Sequence, residues 1–432
     1  MSWRPLLEGV AGERALRIAL EIGEELCAPP PPWTFEDAPE QHKIQQPASL
    51  SGGKTGLGLV LAYLSHSLGR KDFAEVAFGF LSEAADTLAS SRMSASLYGG
   101  FAGLGWVVAH LRGGLLDFGA EDPDEEIDRA LLDYLDSNRQ QVDYDLIGGL
   151  VGLGVYALER LPLEAGAQLL QRVIDRLGES AKSRPEGVAW FTPQELLPPH
   201  QRQECPEGHF NLGVAHGTPG VASLLGLALA AGVGGGKARN LLREAVHWTL
   251  SQALGGADGR VRFPYYIATG VKPVPSRSAW CYGDPGIAAA LYCAARGAGE
   301  PEWERRALEI ALGVAGLPMS EAGVQDAGLC HGAAGLGHLY NRMFQASGEP
   351  RLAEAARAWY EKTMDMRRPG EGAAGYLTWG PMRLDGPPVW VTDPGLLSGA
   401  AGIALALLAA ATPVEPLWDR ILLSAIPPRI VT

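Results

Sequence analysis

The chain has 432 residues, 47% of them hydrophobic, and a formal net charge of −13. This acidic balance, without any run of lysine and arginine, excludes the basic stripe that a nucleic-acid-binding surface needs. No segment reaches about eighteen uninterrupted apolar residues, and the N-terminus lacks a signal-peptide core, so we expect no membrane span. Five cysteines, an odd and sparse set, fit a reducing cytoplasm better than a disulfide framework. The composition therefore predicts a soluble cytoplasmic protein.

Seven stretches show apolar residues at three-to-four spacing with charges on the opposite side, the pattern of a surface helix. In chain order they are GERALRIALEIGEEL, FAEVAFGFLSEAADTLA, DPDEEIDRALLDYLDSN, EAGAQLLQRVIDRLGES, KARNLLREAVHWTLSQAL, PEWERRALEIALGVAG and PRLAEAARAWYEKTM. A Gly-x-x-Gly turn with a nearly uncharged helical run follows each of them, seven times in all. The first glycines of these turns are Gly53, Gly100, Gly149, Gly217, Gly283, Gly332 and Gly399. A helix that is apolar all round is a buried helix.

Alternation of seven surface helices with seven buried helices predicts an all-α fold, the (α/α)7 toroid, with seven outer and seven inner helices. We expect one domain over residues 1–432. An open superhelix of helical pairs is the alternative, but open solenoids usually have even repeat lengths, whereas these turns are 47 to 68 residues apart. In a closed ring all seven turns fall at one end, which we take as the active face.

Three long loops, near residues 185–210, 258–279 and 366–394, are expected over this active face. Their aromatic residues indicate a lid or a peptide-binding rim, with ordinary loop packing as the alternative. These residues are Trp190, Phe191, Tyr265, Tyr266, Tyr376, Trp379 and Trp390.

Three of the turns carry reactive side chains directly before the glycine: His216, the pair Cys281-Tyr282, and the pair Cys330-His331. Two cysteines and one histidine form a Cys2His set, and three protein ligands with an open fourth position are typical of a catalytic zinc. A helix N-terminus also favours a thiolate. The alternative is that both cysteines are small buried apolar residues. Because they occupy equivalent positions of the repeat, we favour the metal site.

The runs WCYGDPG, CHGAAG and AHGTPG resemble the lanthionine synthetase C-like (LanC) cyclases, and the sevenfold repeat is similar to that family's toroid along the whole chain. The resemblance implies that Zn²⁺ is the cofactor, bound by Cys281, Cys330 and His331. It also implies a set of catalytic residues, namely His216, Asp145, Arg277 and Tyr282.

Family members close thioether rings by adding a peptide cysteine to a dehydroalanine or dehydrobutyrine. The resemblance therefore implies a dehydrated precursor peptide as substrate and a separate dehydratase as a possible partner. We expect His216 to transfer protons because its pKa lies near the working pH. Asp145 is expected to orient His216 or to cap a helix ahead of Gly148. Arg277 is a candidate for holding the enolate oxygen or for an ion pair, and Tyr282 for positioning groups around the metal or for packing.

Two departures from the family pattern affect this interpretation. No segment is long enough for the small β-rich insertion that some members carry, and Tyr282, where the eukaryotic branch tends to have histidine, favours the bacterial peptide cyclases. Two alternatives remain. One is a prenyltransferase or terpene cyclase, which shares the α/α toroid but needs other motifs; the other is a non-catalytic LanC-like peptide- or glutathione-binding protein.

Overall fold

The computed structural model describes residues 3–119, 122–137, 143–255 and 260–428, and these are predominantly helical. The α-helices are α1 (Gly9–Leu26), α2 (Glu40–Gln45), α3 (Lys54–Leu68), α4 (Lys71–Ser90), α5 (Phe101–Arg112), α6 (Glu125–Ser137), α7 (Leu150–Glu159), α8 (Glu164–Ser180), α9 (Pro199–Glu204), α10 (Thr218–Ala230), α11 (Gly235–Ser251), α12 (Asp284–Ala298), α13 (Pro301–Ala315), α14 (Ala333–Ser347), α15 (Pro350–Asp365) and α16 (Ala400–Ala411). Short 3₁₀ helices are Gln46–Ala48, Gln194–Leu196, Met319–Glu321 and Leu417–Leu422.

The strands of the described chain are only two to four residues long. They are β1 (Lys182–Arg184), β2 (Gly187–Ala189), β3 (Phe191–Thr192), β4 (His209–Asn211), β5 (Leu254–Gly255), β6 (Val261–Arg262), β7 (Tyr266–Ile267), β8 (Thr378–Pro381) and β9 (Pro388–Val391). All pairs are antiparallel: β1 with β2, β3 and β7 on either side of β4, β5 with β6, and β8 with β9. Most strands lie in the predicted long loops, of which residues 258 and 259 fall outside the described ranges.

Two classes of helix alternate along the chain. The seven that follow glycine turns are buried on all sides over most of their length: α3, α5, α7, α10, α12, α14 and α16. In α12 every residue is buried. The seven helices that precede the turns bury one stripe; in α8 it includes Leu169, Val173 and Leu177. The predicted alternation is confirmed in the described residues, and none of these helices is both long and apolar enough to cross a membrane.

The glycines of the turns are explained by a close approach of the chain to itself. A Cβ atom on Gly217 would lie 2.3 Å from the carbonyl oxygen of Asn211, and one on Gly220 would lie 2.2 Å from that of Val214. Both oxygens belong to the residue six positions earlier. Only a residue without a side chain fits at such distances. Each turn therefore folds the preceding residues back over the first turn of its helix.

One of two compact units of the chain comprises residues 1–127, 325–341 and 353–418. In this unit α3 packs against α1, α4, α5 and α16. Backbone hydrogen bonds join its turns in series: Cys330 N–H donates to the Leu397 carbonyl at 2.7 Å, Leu397 to Ser51 at 3.0 Å, and Ser51 to Tyr98 at 3.0 Å. Each of these residues stands two positions before the first glycine of its turn. Four turns of this unit are thus linked by main-chain atoms alone.

The other unit comprises residues 128–324, 342–352 and 419–432. In this unit α10 packs against α7, α11 and α12, and α12 packs against α13. Its turns are linked in the same way: Leu146 N–H donates to the Ala215 carbonyl at 3.0 Å, and Ala215 N–H to the Cys281 carbonyl at 3.4 Å. The C-terminal segment packs here as well, because the Trp280 indole donates to the Leu422 carbonyl at 2.8 Å.

Candidate functional site

His216 and Asp145 form a hydrogen-bonded pair where the third and fourth turns meet. The Nδ1 atom of His216 lies 2.6 Å from Oδ2 of Asp145. With the Asp145 oxygen as the acceptor, Nδ1 carries the hydrogen, and Nε2 is the nitrogen that remains for proton transfer. The His216 side chain is 43% exposed and that of Asp145 is 10% exposed. The pair therefore combines a buried anchor with an accessible imidazole.

The surroundings of the pair hold both residues in place. The other carboxylate oxygen of Asp145 accepts the Gly148 N–H at 2.8 Å. The hydroxyl of Tyr144, which is buried, donates to the His216 carbonyl at 2.9 Å. Asp145 thus bonds to His216 and to the turn before α7, but it does not cap that helix, whose N-cap residue is Gly149. The catalytic role of Asp145 stays a prediction.

Charge around His216 favours the protonated imidazole. Burial lowers the pKa of His216, but the hydrogen bond and charge of Asp145, together with the charges of Cys281 and Asp143, raise it above its ordinary value. Burial and repulsion from Asp145 raise the pKa of the Asp143 carboxyl to about 6. An imidazolium stabilised in this way is suited to donating a proton.

Tyr282 and Arg277 lie next to Cys281 in the fifth turn. The ring centroid of Tyr282 is 6.2 Å from that of His216 and 5.4 Å from that of Tyr265. The Tyr265 hydroxyl accepts the Arg277 backbone N–H at 3.0 Å, and the Arg277 guanidinium reaches the Cys281 sulfur at 4.0 Å. The predicted catalytic residues His216, Asp145, Arg277 and Tyr282 all belong to the same compact unit.

Three predicted site residues form a group with the donor chemistry of a metal site: Cys281, Cys330 and His331. Two thiols and an imidazole are a donor set that zinc prefers. The three residues therefore fit a zinc ion and form a group that could bind a metal.

Sequence analysis did not select Asp326, which contacts His331. Its carboxylate lies 3.6 Å from the Nε2 atom of His331 and accepts the backbone N–H groups of Gly328 at 3.1 Å and Trp379 at 2.9 Å. Histidines that bind metals commonly direct their other ring nitrogen to a carboxylate, and Asp326 could serve His331 in this way. The sequence does contain a pattern that could have identified Asp326. Aspartate or asparagine recurs six positions before the first glycine in four turns: Asp143, Asn211, Asp326 and Asp393.

The aspartate of the run WCYGDPG is Asp284, and its contacts indicate a structural role. Its side chain is fully buried. One carboxylate oxygen accepts the Phe263 N–H at 2.7 Å and the other accepts the Arg262 guanidinium at 2.6 Å. The same guanidinium donates to the Ser276 carbonyl at 2.9 Å. Asp284 therefore attaches the insert before the fifth turn to the first residue of α12, three positions after Cys281.

Replacing Asp284 with alanine is expected to lower the free energy of unfolding by about 3 kcal/mol, because it leaves the Arg262 charge and a buried N–H without their acceptor. Urea unfolding followed by circular dichroism measures the effect. The control is Glu309→Ala, which removes only exposed ion pairs with Arg305 and Arg306 and should change stability by less than about 1 kcal/mol. Equal midpoints for the two variants would contradict the anchoring role.

The aromatic residues of the long loops divide into packed and exposed ones. Trp190 is fully buried and its indole donates to the Leu177 carbonyl at 3.0 Å. Tyr376 is also buried. Trp379 and Trp390 pair across β8 and β9 with ring centroids 5.0 Å apart, and Trp390 is 50% exposed. Trp190 and Tyr376 therefore serve core packing, whereas a peptide-binding role for Trp390 stays a prediction.

Comparisons with known proteins identify the family and the fold of the chain. The family model for lanthionine synthetase C-like proteins matches residues 44–423. Among solved structures, nisin cyclase superposes with a TM-score of 0.73 at 18% sequence identity, over 95% of this chain and 96% of that one. This match shows the helical toroid fold of the LanC proteins, which confirms the fold class expected from the repeat. Curated protein sequences gave no significant match. The chain belongs to the lanthionine synthetase C-like family.

Proposed function

We propose that the chain is a zinc-dependent lanthipeptide cyclase, which forms lanthionine and methyllanthionine rings in a dehydrated precursor peptide. The observation that carries the proposal is the match of the lanthionine synthetase C-like family model to residues 44–423. The group of Cys281, Cys330 and His331, which could bind a metal, and the similarity to nisin cyclase support it. They favour this hypothesis over a prenyltransferase or a terpene cyclase.

Cys281, Cys330 and His331 would hold the zinc. Bound zinc would supply Lewis acidity, which lowers the pKa of a substrate thiol so that the thiol loses its proton to water near neutral pH. Cys281 is buried, whereas Cys330 and His331 are partly exposed. The chain's own part in this step would be to supply two negative sulfurs and one neutral imidazole.

His216 is the proposed proton donor to the peptide. The sulfur–carbon bond forms at the β-carbon of the dehydroamino acid, and the displaced electron pair moves onto the carbonyl oxygen as an enolate. A proton must then reach the α-carbon, and the imidazolium of His216, held by Asp145, would deliver it from Nε2. Arg277 is the proposed group that stabilises the enolate oxygen.

The substrate of this reaction must already contain dehydroalanine or dehydrobutyrine. A dehydratase that removes water from peptide serine and threonine is therefore the proposed partner activity. The substrate cysteines must also be reduced, which makes the cytoplasm the proposed location.

Incubating the protein with a peptide that contains one dehydroalanine and one cysteine should cause loss of the free thiol at unchanged mass, since the addition is an isomerisation. Thiol alkylation followed by mass spectrometry measures this loss. The control peptide carries alanine in place of dehydroalanine and should keep its thiol. Binding of the dehydrated peptide without thiol loss would refute the cyclase and favour a non-catalytic binding protein.

A further inference from the structure

Tyr282 is held by contacts that sequence motifs do not reveal. The amide nitrogen of Asn211 lies 2.9 Å from the Tyr282 hydroxyl oxygen. The Asn211 side-chain oxygen accepts the Gly213 N–H at 2.8 Å, which fixes which end of the amide faces Tyr282. Asn211 is 3% exposed, so water does not compete strongly for these bonds.

The second hydrogen of the Asn211 amide is directed at His209. The Nε2 atom of His209 lies 3.4 Å from the amide nitrogen of Asn211. Burial, with the charge of His216, lowers the pKa of His209 to about 4, so its ring is neutral and can accept this hydrogen. The ring is stacked on Tyr266 with centroids 4.7 Å apart. Asn211 is thus fixed from three sides.

The ring of Tyr282 is confined as closely as its hydroxyl. A Cβ atom on Gly213 would lie 2.8 Å from Cδ1 and Cε1 of Tyr282 and 2.4 Å from the Cys281 carbonyl oxygen, so only glycine lets the ring lie there. Tyr265 packs on the ring at 5.4 Å. One orientation of Tyr282 is therefore favoured by the Gly213 backbone, the Tyr265 ring and the Asn211 amide.

We infer that Asn211 is a positioning residue, which fixes the orientation of the Tyr282 hydroxyl at the proposed reaction site. Because the Asn211 amide donates to the hydroxyl oxygen, the hydroxyl's own hydrogen points away from Asn211. A hydroxyl oriented in advance stabilises developing negative charge without reorganising during the reaction. This inference rests on the proposed cyclase function for its effect on rate, but not for its effect on Tyr282 itself.

Three substitutions separate positioning from support of the turn. Asn211→Ser keeps an oxygen that can accept the Gly213 N–H but is too short to reach Tyr282. Asn211→Asp keeps the acceptor for Gly213 and presents an acceptor to Tyr282, which draws the hydroxyl hydrogen toward residue 211. Asn211→Ala removes both contacts. Asn240→Ala, at an exposed position of α11, is the control.

The first measurement needs no activity. Twelve tyrosines give few resonances in protein labelled with ¹³C at the tyrosine ζ-carbon, and Tyr282→Phe identifies the one from Tyr282. We expect this resonance to move in Asn211→Ser, Asn211→Asp and Asn211→Ala, and not in Asn240→Ala. An unchanged Tyr282 resonance in Asn211→Ser would overturn the inference, whatever reaction the protein performs.

The second measurement is the rate of thioether formation. Asn211→Ser should lower kcat about tenfold with KM little changed, and Asn211→Asp should lower it more. In a Tyr282→Phe background, Asn211→Ser should not lower kcat any further, because the hydroxyl through which Asn211 acts is absent. An equal loss in both backgrounds would overturn the positioning role. Absence of thioether from the wild type, with the resonance shifts present, would refute the cyclase and leave the contact established.

Discussion

Cys330→Ala protein is expected to contain almost no zinc, whereas the wild type should contain about one ion per chain. The substitution removes one of three protein donors, and two donors hold zinc far more weakly than three. Metal analysis after dialysis gives the stoichiometry. Thiol loss from the dehydrated peptide should fall toward the uncatalysed rate, because the zinc that would ionise the substrate thiol is then absent.

Cys27→Ala is the matched control for this experiment. Cys27 is partly exposed, as Cys330 is, but it lies in another part of the sequence, at the end of α1. Its replacement should leave both zinc content and cyclisation unchanged. Retention of a full equivalent of zinc by Cys330→Ala would remove Cys330 from the ligand set and with it the basis of the proposed reaction.

His216→Ala is expected to bind zinc normally and to form thioether at least about a hundredfold more slowly. The metal ligands are intact in this variant, but the α-carbon must take its proton from water. Measuring zinc content and rate on the same sample separates these effects. His247→Ala, at an exposed position of α11, is the control and should match the wild type in both.

Asp145→Asn extends this experiment to the partner of His216. The asparagine side chain can donate to His216 Nδ1 as well as accept from it, so Nδ1 need no longer carry the hydrogen. Proton transfer at Nε2 should therefore slow while zinc stays bound. Wild-type rates from His216→Ala would assign the proton transfer to another group and would leave the Asp145 pair as a feature of the fold.

The repeat could be predicted from the sequence because its two causes are local. Helices apolar on all sides differ in composition from helices with one apolar stripe, and most of the turn glycines are required by contact with a residue six positions earlier. His216, Cys281, Cys330 and His331 stand out for the same reason, since each is next to or two positions before such a glycine. A pattern with a fixed offset is visible without any knowledge of distant contacts.

Asp284 and Asn211 could not be assigned roles from the sequence, because their partners are distant along the chain. Asp284 contacts residues 21 and 22 positions earlier, and Asn211 contacts Tyr282, 71 positions later. The loop aromatics show the same limit. The sequence gives Trp190 and Trp390 the same candidate role in peptide binding, yet Trp190 is fully buried and Trp390 is 50% exposed.

Main-chain links between neighbouring turns have a consequence for how chemistry can change in this family. The amide of Leu397 is bonded to the carbonyl of Ser51, and that of Ser51 to the carbonyl of Tyr98, whatever side chains these residues carry. New functional groups introduced at Ser51 or Leu397 would therefore leave the bonds between turns intact. Such positions offer an evolving or designed enzyme places to acquire a different reaction while keeping its architecture.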